Sequence, residues 1–256
     1  MKFGKIYLNR VLLICLSLSA CKTNKVNDND LITPATVLYQ NGLNFLDHQK
    51  HAKAAEEFGK VFYQHPGDKI TPQAELMHAY SLFLASQYDE AVDVLEVFIK
   101  LHPSNIDIAY ARYLRALSYY MQISNTHLDQ SRTFLAKVSF EEVIKLYPDT
   151  KYAVDGELKI DLANDHLAGK EMEIGRFYSN KKNPVAAIKR FQQVINYYQT
   201  TSHVPEALYR LVLSYTTLGV PMEARKYAAV LGSNYLNTIW YKRSFELLTR
   251  AKLDAR

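Results

Sequence analysis

The chain has 256 residues, with 31 Lys and Arg against 26 Asp and Glu, a formal net charge of +5 at pH 7. Three of the basic residues and none of the acidic ones precede Cys21, so the net charge from Cys21 onward is only +2. A balance this close to neutral does not predict nucleic-acid binding. One of the two cysteines, Cys15, lies in the N-terminal segment that we expect to be cleaved off, so we expect no disulfide. No apolar run approaches about 20 residues, so we expect no membrane-spanning helix.

The first 20 residues have the pattern of a secretory signal peptide: a basic start, an apolar run over 11–18, and small residues at 19 and 20. The stretch Leu18-Ser19-Ala20-Cys21 resembles the lipobox of bacterial lipoproteins, in which cleavage precedes the cysteine. We therefore expect Cys21 to become S-diacylglycerol and N-palmitoyl cysteine, since several acyl chains anchor a protein stably. The alternative is an ordinary secretory signal with a chance cysteine.

Residues 21–32 are polar and lack a periodic apolar face, so we interpret them as the lipidated cysteine and a flexible tether. A coil of about eleven residues spans roughly 17–20 Å on average, which would hold the folded part near the bilayer. In Gram-negative bacteria, Asp directly after the lipidated cysteine tends to retain a lipoprotein in the inner membrane. This chain has Lys22 at that position, so it resembles the lipoproteins that are sorted to the outer membrane. We expect a lipid-anchored protein on the periplasmic face of the outer membrane.

One spacing of small and apolar residues recurs along the rest of the chain, with steps of 3, 9, 4, 3 and 5 residues. The first unit is Gly42, Phe45, Ala54, Phe58, Val61 and Pro66, and the second is Ala79, Leu82, Ala91, Leu95, Phe98 and Pro103. Small residues let the two helices of a unit approach closely, and the large residue four positions later lies on the same face and fills the gap to the next unit. The spacing resembles the tetratricopeptide repeat (TPR).

The predicted fold class is all-α: a TPR-type α-solenoid of about five helix-turn-helix repeats, forming a single domain over residues 33–256. The repeats and the terminal helix are predicted at 35–68, 72–105, 109–150, 168–201, 205–236 and 239–254. About eight residues, around 123–132, are inserted in the third repeat, and a long helix is expected from about Lys151 to Ser179. Four apolar residues of the terminal helix are expected to cover the end of the stack: Ile239, Phe245, Leu247 and Leu248.

Motifs that carry chemistry are missing from the sequence: it has no Walker loop, no GxGxxG, no GxSxG and no HExxH. Eight histidines are scattered, and His65 and His102 recur only because both precede the repeat proline. Carboxylates at 161, 165, 171 and 173 lie at helical spacing, which is typical of a solvated face. We predict no catalytic residue, no metal site and no cofactor, and therefore a protein that is not an enzyme.

A TPR superhelix offers a concave groove, lined by positions 2, 5, 9 and 12 of each first helix. In the first three repeats these positions are rich in aromatic residues, and arginines lie nearby. The candidate peptide-binding residues are Tyr39, Tyr80, Phe83, Tyr110, Tyr113, Tyr120, Arg112 and Arg115. Aromatic rings give large contact areas at low entropic cost, and Arg can clamp a carboxylate with two parallel hydrogen bonds. The groove suits a short apolar or aromatic peptide, including one with a free terminal carboxylate; the alternative is that these tyrosines pack between helices.

Strings in the fourth and fifth repeats narrow the resemblance to one family. Residues 167–178 (LAGKEMEIGRFY), 186–190 (AAIKR) and 206–219 (EAL to LG) are similar to the corresponding strings of the BamD (ComL) family. With the lipobox, the resemblance covers essentially the whole chain from Cys21. Leu128 departs from the pattern, because many relatives carry Arg before the Asp-Gln pair, and Lys181 replaces a frequent Arg.

The resemblance implies an outer membrane protein assembly factor lipoprotein, a scaffold of the β-barrel assembly machinery (the BAM complex). Such proteins bind the periplasmic domains of a BamA-like barrel subunit through their C-terminal repeats, beside other Bam lipoproteins. Their N-terminal repeats are proposed to receive the C-terminal signals of unfolded outer-membrane proteins, which are strand-like and usually end in an aromatic residue. The alternative is another periplasmic TPR lipoprotein adaptor, linked to pilus biogenesis or to the Tol and division systems.

Overall fold

The computed structural model describes residues 32–251, which contain eleven α-helices and no β-strand. The predicted signal peptide (1–20), Cys21 with the tether up to residue 31, and the final positions of the predicted terminal helix (252–254) lie outside the described residues. The helices are α1 (Ala35–Asp47), α2 (His51–Gln64), α3 (Thr71–Leu84), α4 (Tyr88–Leu101), α5 (Ile108–Tyr120), α6 (Ser131–Leu146), α7 (Lys151–Asn180), α8 (Pro184–Tyr197), α9 (Val204–Thr217), α10 (Pro221–Asn234) and α11 (Ile239–Arg250).

Consecutive helices pack side by side along residues 35–250, which confirms the all-α, TPR-type fold. We call α1, α3, α5, the second half of α7, and α9 the A helices, and α2, α4, α6, α8 and α10 the B helices. Contacts also join α1 to α3, α3 to α5 and α5 to α7, whereas successive B helices of the described chain make no comparable contacts. The A helices of the first three repeats therefore form the more closely packed layer.

Short turns join the A helix to the B helix in four of the five units. Their middle residues are Gln49, Ser86, Lys182 and Gly219, all with positive φ between 57° and 71°. This left-handed conformation lets the chain reverse within three residues, and it carries a steric cost everywhere except at glycine. In the third unit the turn is replaced by residues 121–130, in the region where the sequence predicts an insertion.

Two glycines explain why the repeat needs small residues in its A helices. A Cβ atom built on Gly42 would lie 2.6 Å from a ring carbon of Phe58, and one built on Gly175 would lie 2.4 Å from a ring carbon of Phe191. Both phenylalanines are fully buried. The repeat spacing thus encodes a close approach between an A-helix backbone and a B-helix ring.

The long helix α7 runs from Lys151 to Asn180, against an expected end near residue 179. Thr150 caps its first turn by accepting a hydrogen bond from the amide of Ala153 at 3.3 Å. The helix packs against α6 and α8 and also contacts α5, so it serves two repeats. No helix between residues 32 and 251 combines the length and the hydropathy that a membrane crossing requires.

The terminal helix α11 buries only part of the side that the sequence pattern indicates. Leu248 is buried and Leu247 packs against the core, as predicted. Ile239 and Phe245 are 53% and 59% exposed, so that prediction is wrong for these two residues. The ring of Trp240 lies 5.6 Å from that of Tyr209 on α9, and Ser244 and Leu248 follow at intervals of four residues as the buried positions. A small serine in the middle of the buried stripe permits close packing but is not apolar. The apolar pattern therefore did not identify this stripe as the buried one.

Candidate peptide-binding face

The six predicted aromatic residues lie on α1, α3 and α5, and all are half-buried. Tyr39 packs edge-on against Phe58, with 5.3 Å between ring centroids. Phe83 lies 5.5 Å from Tyr88, at the turn into α4. Tyr80 and Phe83 both pack against the core formed by α3, α4 and α5. These rings combine a packed side with an accessible side.

The tyrosines of α5 meet the first turn of α7. The ring of Tyr152 lies 5.6 Å from Tyr110 and 5.1 Å from Tyr113. On the other side, Phe140 of α6 lies 6.0 Å from Tyr113 and 6.1 Å from Tyr120. Such tilted aromatic pairs add about 0.5–1.5 kcal/mol each beyond their buried area. We use the term aromatic face for Tyr39, Tyr80, Phe83, Tyr110, Tyr113, Tyr120 and Tyr152.

A polar bridge crosses the aromatic face between α5 and α7. The Tyr113 hydroxyl donates a hydrogen bond to Asp155 Oδ2 at 2.6 Å, and Lys159 Nζ donates to Asp155 Oδ1 at 3.0 Å. The Lys159 ammonium also lies 5.5 Å from the ring centroid of Tyr120, within the range of a cation–π contact. Burial opposes ionisation of Asp155, but the Tyr113 hydroxyl and Lys159 outweigh it and lower the pKa of the Asp155 carboxyl.

Several hydroxyls of the aromatic face remain available to a ligand. Those of Tyr39, Tyr80, Tyr110 and Tyr120 have no hydrogen-bond partner within residues 32–251. Burial, followed by the neighbouring Tyr80 and Tyr152, raises the pKa of Tyr110 far above its ordinary value. A tyrosine hydroxyl is protonated at neutral pH even without such a shift, so that of Tyr110 can donate a hydrogen bond to a peptide carbonyl.

The two predicted arginines do not join the aromatic face. Arg112 and Arg115 each form an ion pair with a separate oxygen of Glu142 on α6. Arg115 follows Tyr113 by two residues, about 200° around the helix, so the two side chains leave α5 in different directions. The sequence predicts a groove in which tyrosines and arginines lie side by side, whereas in the structure the two arginines pair with Glu142.

Sequence reasoning missed Tyr152, Asp155 and Lys159, which complete the aromatic face from α7. Their spacing of three and four residues puts them on one side of the helix. A tyrosine, an acid and a lysine on one side of the predicted long helix were the available signal. That signal became meaningful only once α7 was known to lie beside α5.

Several other ionisable groups within residues 32–251 form ion pairs. Glu171 pairs with Arg190 at 3.2 Å and Glu173 with His127 at 2.6 Å. These two carboxylates therefore contact other segments of the fold, whereas the sequence predicts a solvated face. Within residues 32–251, no group of three or more His, Cys, Asp or Glu side chains could hold a metal ion.

Comparison with known proteins identifies the family. The family model described as YfiO, outer membrane lipoprotein, matches residues 32–231. The outer membrane protein assembly factor BamD of Rickettsia prowazekii (strain Madrid E) is 62% identical over 248 residues, covering 97% of this chain and 98% of that protein. BamD of Caulobacter vibrioides is 43% identical over 215 residues, covering 84% and 70%.

A thermophilic TPR protein of Thermus thermophilus is a more distant solved structure, at 14% identity and a TM-score of 0.39, covering 84% of this chain and all (100%) of that chain. The family model matches well over half of the chain, and the Rickettsia relative aligns along nearly the full length of both sequences. The chain therefore belongs to the BamD family of outer membrane protein assembly factors.

Proposed function

We propose that this protein is a lipid-anchored scaffold for the assembly of β-barrel proteins in the outer membrane. In this role it acts on the periplasmic side, as a member of the β-barrel assembly machinery, and is held to the bilayer through Cys21. The near full-length match to an outer membrane protein assembly factor is the observation that carries the proposal.

The aromatic face supports a role in receiving unfolded substrate. An extended strand exposes unpaired backbone groups and alternating side chains, and a receptor must satisfy both. Half-buried rings on three helices supply apolar contact, and the free hydroxyls of Tyr80 and Tyr110 supply hydrogen bonds. We propose that this face receives the C-terminal signal of an unfolded outer-membrane protein, with the terminal aromatic side chain seated among the rings.

The C-terminal units supply a separate surface for the barrel subunit. Six apolar side chains on α10, α11 and their adjoining turns are exposed: Val220, Met222, Val230, Leu236, Ile239 and Phe245. Where such side chains lie together they form the apolar patches that mark protein–protein contacts. We propose that the periplasmic domains of a BamA-like subunit dock there, so that substrate and barrel subunit occupy different repeats.

The scaffold role requires no chemistry from the chain itself. Some of the described histidines and acids form ion pairs, such as His102 with Glu75 at 2.9 Å, and no group of three or more His, Cys, Asp or Glu side chains within residues 32–251 could hold a metal ion. We propose that the protein works by binding and positioning alone.

Co-purification tests the proposed function. Outer membranes of the source bacterium are solubilised in mild detergent, and the protein is captured by a C-terminal tag. We expect a barrel subunit to co-purify with the unchanged chain, and much less of it with an Ile239→Ser/Phe245→Ser variant. A Tyr63→Ser variant, altered at an exposed residue of α2, should retain it. Absence of any barrel subunit from the unchanged protein would overturn the proposal.

A further inference from the structure

One row of apolar side chains on the first half of α7 is uncovered. Val154, Leu158 and Leu162 are 63%, 64% and 54% exposed. Their spacing of four residues places them in one stripe along the helix. Further along α7 the neighbouring positions are engaged, because Asp165 accepts a hydrogen bond from Ser202 at 3.0 Å. We call these three residues the α7 stripe.

The α7 stripe borders the aromatic face. Leu162 lines a pocket of about 200 Å³ together with Tyr120, Ile123 and His166. Each of the first two stripe residues also directly precedes a residue of the polar bridge, which contacts Tyr113 and Tyr120. A ligand lying on the tyrosines of α5 can therefore continue onto the α7 stripe without crossing another helix.

The spacing of the α7 stripe matches an extended strand. Residues four apart on a helix are about 6 Å apart along its axis. Alternate residues of a strand, which point to the same side, are about 6.6–6.8 Å apart. Over the three positions the two repeats differ by only about 1–2 Å, so three same-side apolar groups of a strand can each contact one stripe residue.

Charges beside the stripe specify which strands fit best. Glu157 and Asp161 are exposed carboxylates on one flank of the stripe, and neither has an ion-pair partner within residues 32–251. On the opposite flank, Asp155 is already neutralised by Lys159. The stripe therefore has an acidic edge. The residues between the apolar ones point away from the stripe, so this edge favours long basic side chains that can bend back to it.

We propose that the α7 stripe extends the peptide-binding face and binds an extended segment with apolar residues at alternate positions and basic residues between them. This inference rests on the proposed function, because it assumes that the aromatic face receives unfolded strands. It adds a register: the aromatic face holds the end of the segment, and the stripe holds the residues that precede it. The acidic edge adds a charge preference.

Fluorescence anisotropy with synthetic peptides tests the inference. The probe is a labelled peptide in which Leu and Lys alternate before a terminal Phe with a free carboxylate. The comparison peptides have the same composition with the leucines in one block, or have Glu in place of Lys. The variants are Val154→Ser/Leu158→Ser for the stripe and Glu157→Gln/Asp161→Asn for its acidic edge. Leu146→Ser, at an exposed position on α6, is the matched control.

We expect the stripe variant to bind the alternating peptide about tenfold more weakly, as the loss of two apolar contacts predicts. The control should bind normally, and the edge variant should lose the preference for Lys over Glu. Equal binding of alternating and blocked peptides, or unchanged binding by the stripe variant, would overturn the inference. If the stripe variant binds normally while Tyr80→Ala/Tyr113→Ala binds weakly, only the extension fails. If neither variant weakens binding, substrate receipt by the aromatic face fails as well.

Discussion

Gly175→Ala tests the packing on which the repeat depends. The added methyl would lie 2.4 Å from Cε1 of Phe191 and 2.8 Å from both Cδ1 and Cζ. The ring is fully buried in the core shared by α7, α8 and α9. It cannot swing into solvent, so either the ring or the A-helix backbone must shift.

Two effects of opposite sign determine the size of the change. Adding a methyl group to a well-packed core costs about 1–3 kcal/mol. Replacing Gly by Ala in a helix interior returns about 1 kcal/mol. Because the contact is about 1 Å shorter than van der Waals contact between carbons, we take the upper part of the first range. The expected net loss is about 1–2 kcal/mol in the free energy of unfolding.

Urea unfolding followed by far-ultraviolet circular dichroism measures this change. Gly156→Ala is the matched control, because its new Cβ would lie 3.4 Å from Phe140, an ordinary contact, in the same helix. We expect the control to be unchanged or stabilised by up to about 1 kcal/mol. A Gly175→Ala variant that is as stable as the unchanged protein, or that matches the control, would refute the close approach as the reason for glycine.

Three further predictions concern the anchor and the charges. Cys21→Ala should move the protein from the membrane to the soluble periplasmic fraction in a cell-fractionation assay; retention on membranes would require a second anchor. Tyr113→Phe should raise the pKa of the Asp155 carboxyl, followed by NMR titration. Because the folded pKa lies below the ordinary value of about 3.9, Asp155 stabilises the unchanged protein above that pH, and this contribution disappears as pH falls through the folded pKa. Glu142→Gln should lower the free energy of unfolding by about 1–3 kcal/mol, since it leaves two half-buried arginines without their carboxylate, whereas Glu141→Gln should change it by less than about 0.5 kcal/mol.

The repeat architecture could be predicted from sequence because the residues that pack together within each unit lie close together along the chain. Gly42 with Phe58 and Gly175 with Phe191 lie at the same separation of 16 residues, and the structure shows the same ring-on-backbone contact in both. The long helix was also readable, since no proline interrupts residues 151–180. Patterns whose residues contact each other within one helix pair could therefore be predicted from the sequence.

The composition of the aromatic face was only partly readable because it depends on contacts between distant segments. Tyr113 reaches Asp155, 42 residues away, only because α6 returns the chain so that α7 starts beside α5. Arg112 was predicted on the same face from its position in the sequence, but it forms an ion pair with Glu142, 30 residues later, on α6. Neither partner can be identified from helical periodicity alone.

Photo-crosslinking of a barrel-signal peptide to the aromatic face tests the central claim most directly. The peptide is strand-like, ends in Phe with a free carboxylate and carries a photoreactive group. We predict strong crosslinking to the unchanged protein and to Tyr197→Ala, an exposed tyrosine on α8, and weak crosslinking to Tyr80→Ala/Tyr113→Ala with the helical signal preserved. Equal crosslinking of the double variant would contradict substrate receipt by this face and leave those tyrosines with a packing role only.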